Sequence, residues 1–377
     1  MIYLDNAATS LPKPRCCEHA MVHALRHMGN PGRSGHLPAL AGGRAIYECR
    51  EALNTLFHTH DPVCYVFCLN CTDALNMAIW GSVAHGGRVI TTALEHNSVL
   101  RPVHTLAQKR AVQVDIGEPR ASGYVHPDDV DALLTPETSL LVVTYASNLT
   151  GAVQDIESFT RIAHAKGVPI LVDMAQSAGH MDIDLDALGV DMAAFPGHKG
   201  LLGPQGTGVL YIRPGFDIEP LRQGGTGSQS QLLLQPVDLP ERYESGTPAT
   251  PALAALCASV NYLCMHHKRF IEHQEVLYAH LWNGLAKIKD IRLYSPSPDD
   301  PHVGVISFNL GDVDSSLLAD YLWNQHEICC RSGLHCAPLA HKFLNTQNIG
   351  AVRLSVGPFN TTQEIDTTLR ALRTFSL

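Results

Sequence analysis

Between residues 60 and 215, short continuous apolar runs alternate with stretches of helical period. The runs fall at 63–67, 88–92, 140–145, 170–172, 192–195 and 209–212, with amphipathic stretches at 72–80, 98–111 and 156–166 among them. A strand that is apolar along its whole length must be covered on both faces, and parallel neighbours need a crossover helix. The pattern predicts an α/β architecture, a mostly parallel sheet with helices on both faces, and a ligand site beyond the carboxyl ends of its strands. After about residue 250 the alternation stops. A helical stretch from 251 to 267 runs on toward 282, strands are expected near 304–310 and 352–356, and helices at 315–325 and 362–375. This predicts a large domain over residues 15–250. A smaller C-terminal α+β domain would take residues 251–377, with residues 1–14 packed beside it.

The 377 residues are 45% hydrophobic and 17% charged, enough apolar content to bury a sizeable core. A net charge of −9 without blocks of like charge argues against a nucleic-acid surface or a polybasic membrane anchor. The longest apolar runs are too short to span a bilayer. The opening Met1-Ile-Tyr-Leu-Asp5 places an acid where a signal peptide needs basic and then apolar residues. A cytoplasmic protein is expected. The eleven cysteines are then read as free thiols, with the vicinal pairs Cys16-Cys17 and Cys329-Cys330 as small buried residues. Cys68-Leu-Asn-Cys71 has the spacing of half a zinc site but no matching second pair, so no metal is expected.

The chemistry concentrates at two strand ends. Pro169-Ile-Leu-Val-Asp173 delivers an aspartate from a buried run, and Met192-Ala-Ala-Phe195-Pro-Gly-His-Lys199 delivers a lysine from the next. Burying either charge is costly without a partner. Two readings follow: a salt bridge at the sheet edge, or a pyridoxal-phosphate site, whose aldehyde takes a lysine and whose ring nitrogen takes a carboxylate. The glycine-rich 203–208 segment lacks the order of a nucleotide loop and precedes a strand.

Taken together, several motifs resemble the class V aminotransferase-like family, and more narrowly its cysteine desulfurase and selenocysteine lyase branch. They are Tyr3-Leu-Asp5-Asn6-Ala-Ala8, Asp173-Met-Ala-Gln176, Gly197-His198-Lys199, Glu244-Ser-Gly-Thr247, Arg331-Ser-Gly-Leu-His335-Cys336-Ala and Val352-Arg353-Leu-Ser-Val-Gly-Pro. They occur in the family's order from residue 3 to residue 361. The resemblance implies a fold-type I pyridoxal-phosphate enzyme, a homodimer, acting on L-cysteine or L-selenocysteine and passing sulfur to an acceptor protein.

It also implies roles. Lys199 would hold the cofactor aldehyde and move the substrate proton, while Asp173 would keep the ring nitrogen protonated. His96 would stack on the ring and assist proton transfer. Asn148 and Gln176 would bond ring substituents. Cys71, Thr72 and His198 would hold the phosphate, the first two from a helix N-terminus, and Thr247 would reach the neighbouring subunit's phosphate. Arg353, with Asn6 and Arg331, would bind the substrate. Cys336, on a loop, would attack the substrate sulfur. Three departures stand out: Asn70-Cys71 where the family commonly has glycine-threonine, Pro196 where it usually has serine or threonine, and Leu334 where it often has a second histidine. The expected activity is conversion of L-cysteine to L-alanine with an enzyme persulfide. The alternatives are a selenocysteine lyase, a true class V aminotransferase, or a degenerate scaffold.

Overall fold

The computed structural model describes residues 1–32 and 34–375. In chain order the elements are β1 (Ile2–Tyr3), α1 (Arg15–His27), α2 (Leu37–Leu56), β2 (Tyr65–Cys68), α3 (Cys71–Ser82), β3 (Arg88–Thr92), α4 (Asn97–Arg110) and β4 (Gln113–Gly117). Next come α5 (Pro127–Asp131), β5 (Thr138–Thr144), α6 (Ile156–Ala165), β6 (Ile170–Asp173), α7 (Leu185–Leu188), β7 (Met192–Pro196) and β8 (Gly208–Ile212). The remainder is α8 (Thr250–Leu285), β9 (Ile291–Leu293), β10 (Val305–Leu310), α9 (Ser315–His326), β11 (Ile328–Cys329), α10 (Pro338–Phe343), β12 (Val352–Ser355) and α11 (Thr362–Thr374).

Seven strands form one sheet in the order β2-β8-β7-β6-β5-β3-β4. All its pairings are parallel except those of β8, which runs against β2 and β7. The central strands β5 to β8 are almost wholly buried, as their unbroken apolar runs require. One core, with Phe57, Phe159 and Phe195, covers one face of the sheet, and a second, with Leu75, Met77 and Val103, covers the other. Because six strands point the same way, the carboxyl ends of β2, β3, β5, β6 and β7 share one edge.

A third core surrounds the antiparallel sheet β12-β10-β9. The first residues belong to this unit: β1 pairs in parallel with β11, and Asp5 bridges Ser355. The 36-residue α8 joins the two units physically. Leu253, Leu256 and Leu263 enter the first core, and Leu277, Leu281 and Leu285 enter the third. No helix among the described residues is long and apolar enough to cross a membrane. The cysteines are free thiols, but Cys16, Cys329 and Cys330 are half-buried where full burial was expected, because each lies on a partly exposed helix, strand or strand end.

Candidate active site

The common carboxyl edge of the large sheet holds a cavity of about 110 Å³. After β2, Asn70 caps α3 by accepting from the Asp73 N–H at 2.9 Å, so Cys71 and Thr72 open the helix. Gly208 permits this approach, since a Cβ there would collide with the Asn70 backbone. Among the described residues nothing takes the N–H groups of Cys71 and Thr72, and such groups at a helix start suit an anion. The two thiols of the Cys68–Cys71 pair turn to different partners: Cys68 to the Val66 carbonyl and Cys71 to Asp173 Oδ1 at 3.7 Å.

His96 caps α4 and lines the same cavity. Its Nδ1 accepts from the Ser98 N–H at 3.0 Å, which makes the Ser98 hydroxyl, 2.7 Å away, a second donor to that nitrogen and leaves the ring proton on Nε2. The Thr72 hydroxyl lies 2.8 Å from the Ser98 hydroxyl. Burial, aided by the positive charges of Lys199, Arg331 and Arg353, lowers the His96 pKa to about 4. At neutral pH the ring is uncharged.

Asp173 ends β6 and is buried, Lys199 follows β7 and is half-buried, and both line the cavity. They form no ion pair within 4 Å, so the salt-bridge reading of these strand ends fails. Burial raises the Asp173 pKa and lowers that of Lys199, each in the direction of its neutral form. Asp173 Oδ1 accepts from the Ala175 N–H at 2.8 Å as well as from Cys71. The loop bearing Lys199 is clamped from the chain's first residues: the His198 carbonyl accepts from Lys13 Nζ at 2.7 Å, the Ser10 N–H at 3.1 Å and Thr9 Oγ1 at 3.1 Å. The His198 ring meets Thr9 Oγ1 at 3.1 Å, and burial lowers its pKa to about 4. Pro196 lines the cavity but brings it no hydroxyl, as its type dictates.

The remaining residues stand at the rim or beyond it. Gln176 lines the cavity and donates to the Ala7 carbonyl at 3.0 Å. Asn148 donates to the His335 carbonyl at 2.7 Å, and its own carbonyl accepts from Arg353 Nη1 at 2.8 Å. Arg353 is 1% exposed; Nη2 bonds Asp5 Oδ1 at 3.1 Å, while its buried Nε has no partner. Cys336 is half-buried on the 330–337 loop, with Arg331 Nη2 4.0 Å from its sulfur and its carbonyl accepting from the Asn97 N–H at 2.8 Å. The loop therefore docks against the residue next to His96. Its backbone is left-handed at both His335 (φ 49°) and Cys336 (φ 56°), at a cost of about 1–2 kcal/mol per residue.

Arg331, Arg353 and Cys336 do not line the cavity, and neither do Asn6 and Thr247. Asn6 spends its amide on the Ser355 carbonyl at 3.0 Å and Asn360 Oδ1 at 3.1 Å. Thr247 faces an open groove of about 390 Å³ shared with Phe67 and Arg50. Its segment is anchored by Glu244, which takes Arg50 Nη2 at 2.6 and 2.7 Å and the Phe67 N–H at 2.7 Å. Residue spacing did not single out Ser98, Thr9, Lys13 or the Asp5 carboxylate as site components. For Ser98 the available signal was its position two residues after His96, where a helix cap's partner sits.

The pattern of the family described as aminotransferase class-V matches residues 2–368. The chain belongs to that family. A probable cysteine desulfurase of Methanothermobacter thermautotrophicus is 35% identical, over 97% of this chain and 92% of the relative. One from Pyrococcus abyssi is 33% identical over 99% and 93%. Among solved structures, the apo cysteine desulfurase of Thermococcus onnurineus superposes with a TM-score of 0.91 at 31% identity, covering 99% of this chain and 94% of that one. A cysteine desulfurase of Escherichia coli gives 0.88 at 27% identity, over 98% and 93%. The α/β fold expected from the strand pattern is that of this class V family.

Proposed function

We propose that this class V protein is a pyridoxal-phosphate-dependent cysteine desulfurase, releasing L-alanine and leaving sulfur on Cys336 as a persulfide. The observation that carries the reading is Cys336, a thiol on a loop bonded to the wall of a cavity that already holds Lys199 and Asp173. An aminotransferase would need no thiol there.

The residues fit the cofactor. Asp173 and Lys199 line one cavity without pairing, and a ring with a basic nitrogen and an aldehyde would satisfy both. The free N–H groups at the start of α3, with the Thr72 hydroxyl, suit its phosphate. When bound, pyridoxal phosphate supplies an electron sink for negative charge at the substrate α-carbon. Asp173 would keep a proton on the ring nitrogen, and neutral His96 would lie against the ring face. Asn148 and Gln176 would bond ring substituents. Arg353 offers its unpartnered Nε–H to the substrate carboxylate, in the planar geometry that such groups favour. Lys199, driven toward its neutral amine by burial, can take the α-proton and return it. Cys336, as thiolate, attacks the substrate sulfur: an S–S bond forms and the C–S bond breaks. The electron pair goes to the carbon side, where protonation gives alanine. A thiol of the acceptor then collects the terminal sulfur. In the homodimer that we infer, Thr247 would reach the phosphate held by the other subunit.

The test is direct. Protein loaded with pyridoxal phosphate should be yellow, and borohydride should fix the cofactor to Lys199 while bleaching the visible band. Added L-cysteine should yield alanine and a persulfide on Cys336. Cys336→Ala should still bind L-cysteine spectrally yet release no alanine. A full desulfurase rate in that variant would remove the assigned nucleophile, and failure to take up the cofactor would remove the whole reading. Assaying L-selenocysteine alongside separates the lyase alternative, which the exposed Leu334 keeps in view.

A further inference from the structure

Behind the Cys336 loop lies a buried chain of polar groups that the reaction itself does not use. His335 is 3% exposed and His341 is fully buried, with parallel rings whose centroids are 5.7 Å apart. His335 Nε2 lies 3.4 Å from the Arg331 carbonyl, His335 Nδ1 lies 3.4 Å from His341 Nε2, and His341 Nδ1 lies 2.7 Å from Thr346 Oγ1. Burial pushes both imidazoles well to the acid side, to about 2 and about 4, so each is neutral with one donor and one acceptor nitrogen.

A single proton order satisfies every link. A carbonyl only accepts, so His335 carries its proton on Nε2 and accepts at Nδ1. His341 must then donate from Nε2 and accept at Nδ1, which the Thr346 hydroxyl supplies. The chain ends on a carbonyl that also accepts from the Arg353 N–H at 2.7 Å. It therefore ties the left-handed His335-Cys336 backbone to the strand that carries the carboxylate clamp. We propose that His341 and Thr346 are positioning residues for Cys336: they hold His335, and through it the attacking thiol, in register with the substrate bound by Arg353. The proposal rests on the desulfurase reading.

In His341→Phe the ring volume remains but both bonds are lost. With L-cysteine, kcat should fall at least tenfold, while KM and cofactor affinity stay within twofold. Alkylation of Cys336 by iodoacetamide in the apoprotein, followed by peptide mass, should speed up at least threefold as the loop is released. His341→Gln keeps an N–H toward His335 and should restore both rates to within threefold of the parent. The proposal is overturned by a folded Phe variant with unchanged kcat and alkylation, by kcat and both affinities falling in step, or by a Gln variant as impaired as Phe. Should the Phe variant not fold, Thr346→Val decides: kcat lower and alkylation faster by about threefold supports the chain, and parental values refute it. If the parent enzyme releases no alanine from L-cysteine, the desulfurase reading fails by itself, and the alkylation rates still judge the positioning.

Discussion

Glu95 precedes His96 and is fully buried; Oε1 accepts from the Thr92 hydroxyl at 2.7 Å and the Thr144 N–H at 2.8 Å, and Oε2 has no partner. Burial raises its pKa to about 8, so the folded protein keeps the acid protonated at neutral pH while the unfolded chain ionises it near 4.5. The folded state then binds the extra proton, and stability is lost as pH rises from 4.5 toward 8, by up to about 1.4 kcal/mol per unit. Glu95→Gln keeps the accepting oxygen and removes the ionisation. Its unfolding free energy should match the parent at pH 4.5 and exceed it increasingly up to pH 8. A constant difference across that range would mean that the carboxyl is not held neutral. At Pro196, which brings the cavity no hydroxyl, Pro196→Ser should tighten cofactor binding by about tenfold at most, read from the visible band on titrating apoprotein. Unchanged affinity would mean that Ser98, Thr72 and His198 already satisfy the phosphate. Lys199 and Asp173 were legible in the sequence because apolar strands lead straight to them. The Asp5 partner of Arg353 was not, since 348 residues separate them and no local pattern records such a pairing.

Among the elements, the buried strands β3, β6, β7 and β8 fall within a residue or two of their apolar runs, since burial on both faces leaves a continuous signal. The edge strand β4 escaped notice: Gln113-Val-Asp-Ile-Gly117 is half exposed and carries two polar residues. Helices α1 and α2 are also faint in the sequence. The first buries only Cys17 and Ala24, and the second is interrupted by Gly42-Gly43. Near the end of α8, Gly284 packs so tightly on Leu369 of α11 that an added Cβ would collide with that side chain. Gly284→Ala gains up to about 1 kcal/mol of helix propensity but overpacks the contact at about 1–3 kcal/mol. Net destabilisation is expected in denaturant titrations, without change in cofactor affinity. A more stable variant would show that Leu369 gives way freely.

For the whole molecule, burial holds His96, His198 and His341 neutral down to about pH 4 and His335 further still. Their unfolded counterparts take up protons near 6.5. Protons then favour the unfolded chain, and the apoprotein should be fully stable against this effect above pH 6.5 and lose stability continuously down to about pH 4. Denaturant midpoints measured across that range check this, and a flat profile between 6.5 and 5 would contradict it. The mostly parallel sheet was readable from the alternation of runs and helices. The wrapping of the first thirteen residues around the lysine loop was not, because hydrogen bonds from Ser10 and Lys13 to one carbonyl leave no periodic trace.

That wrapping has a consequence for the order in which a ribosome delivers the chain. Asp5 is made before Arg353, its ion-pair partner, which arrives 348 residues later. At about 5–20 residues per second, the interval is roughly 20–70 s. Through most of it the amino-terminal segment lacks β11 to pair with, and to its end the arginine that neutralises Asp5. The seven-stranded sheet is complete by Ile212 and can collapse well before Arg353 is made, whereas the Asp5–Arg353 ion pair closes only after β12 has left the exit tunnel. A nascent chain of this protein would thus have Lys199 at the end of a finished sheet while Asp5 still waits for its arginine.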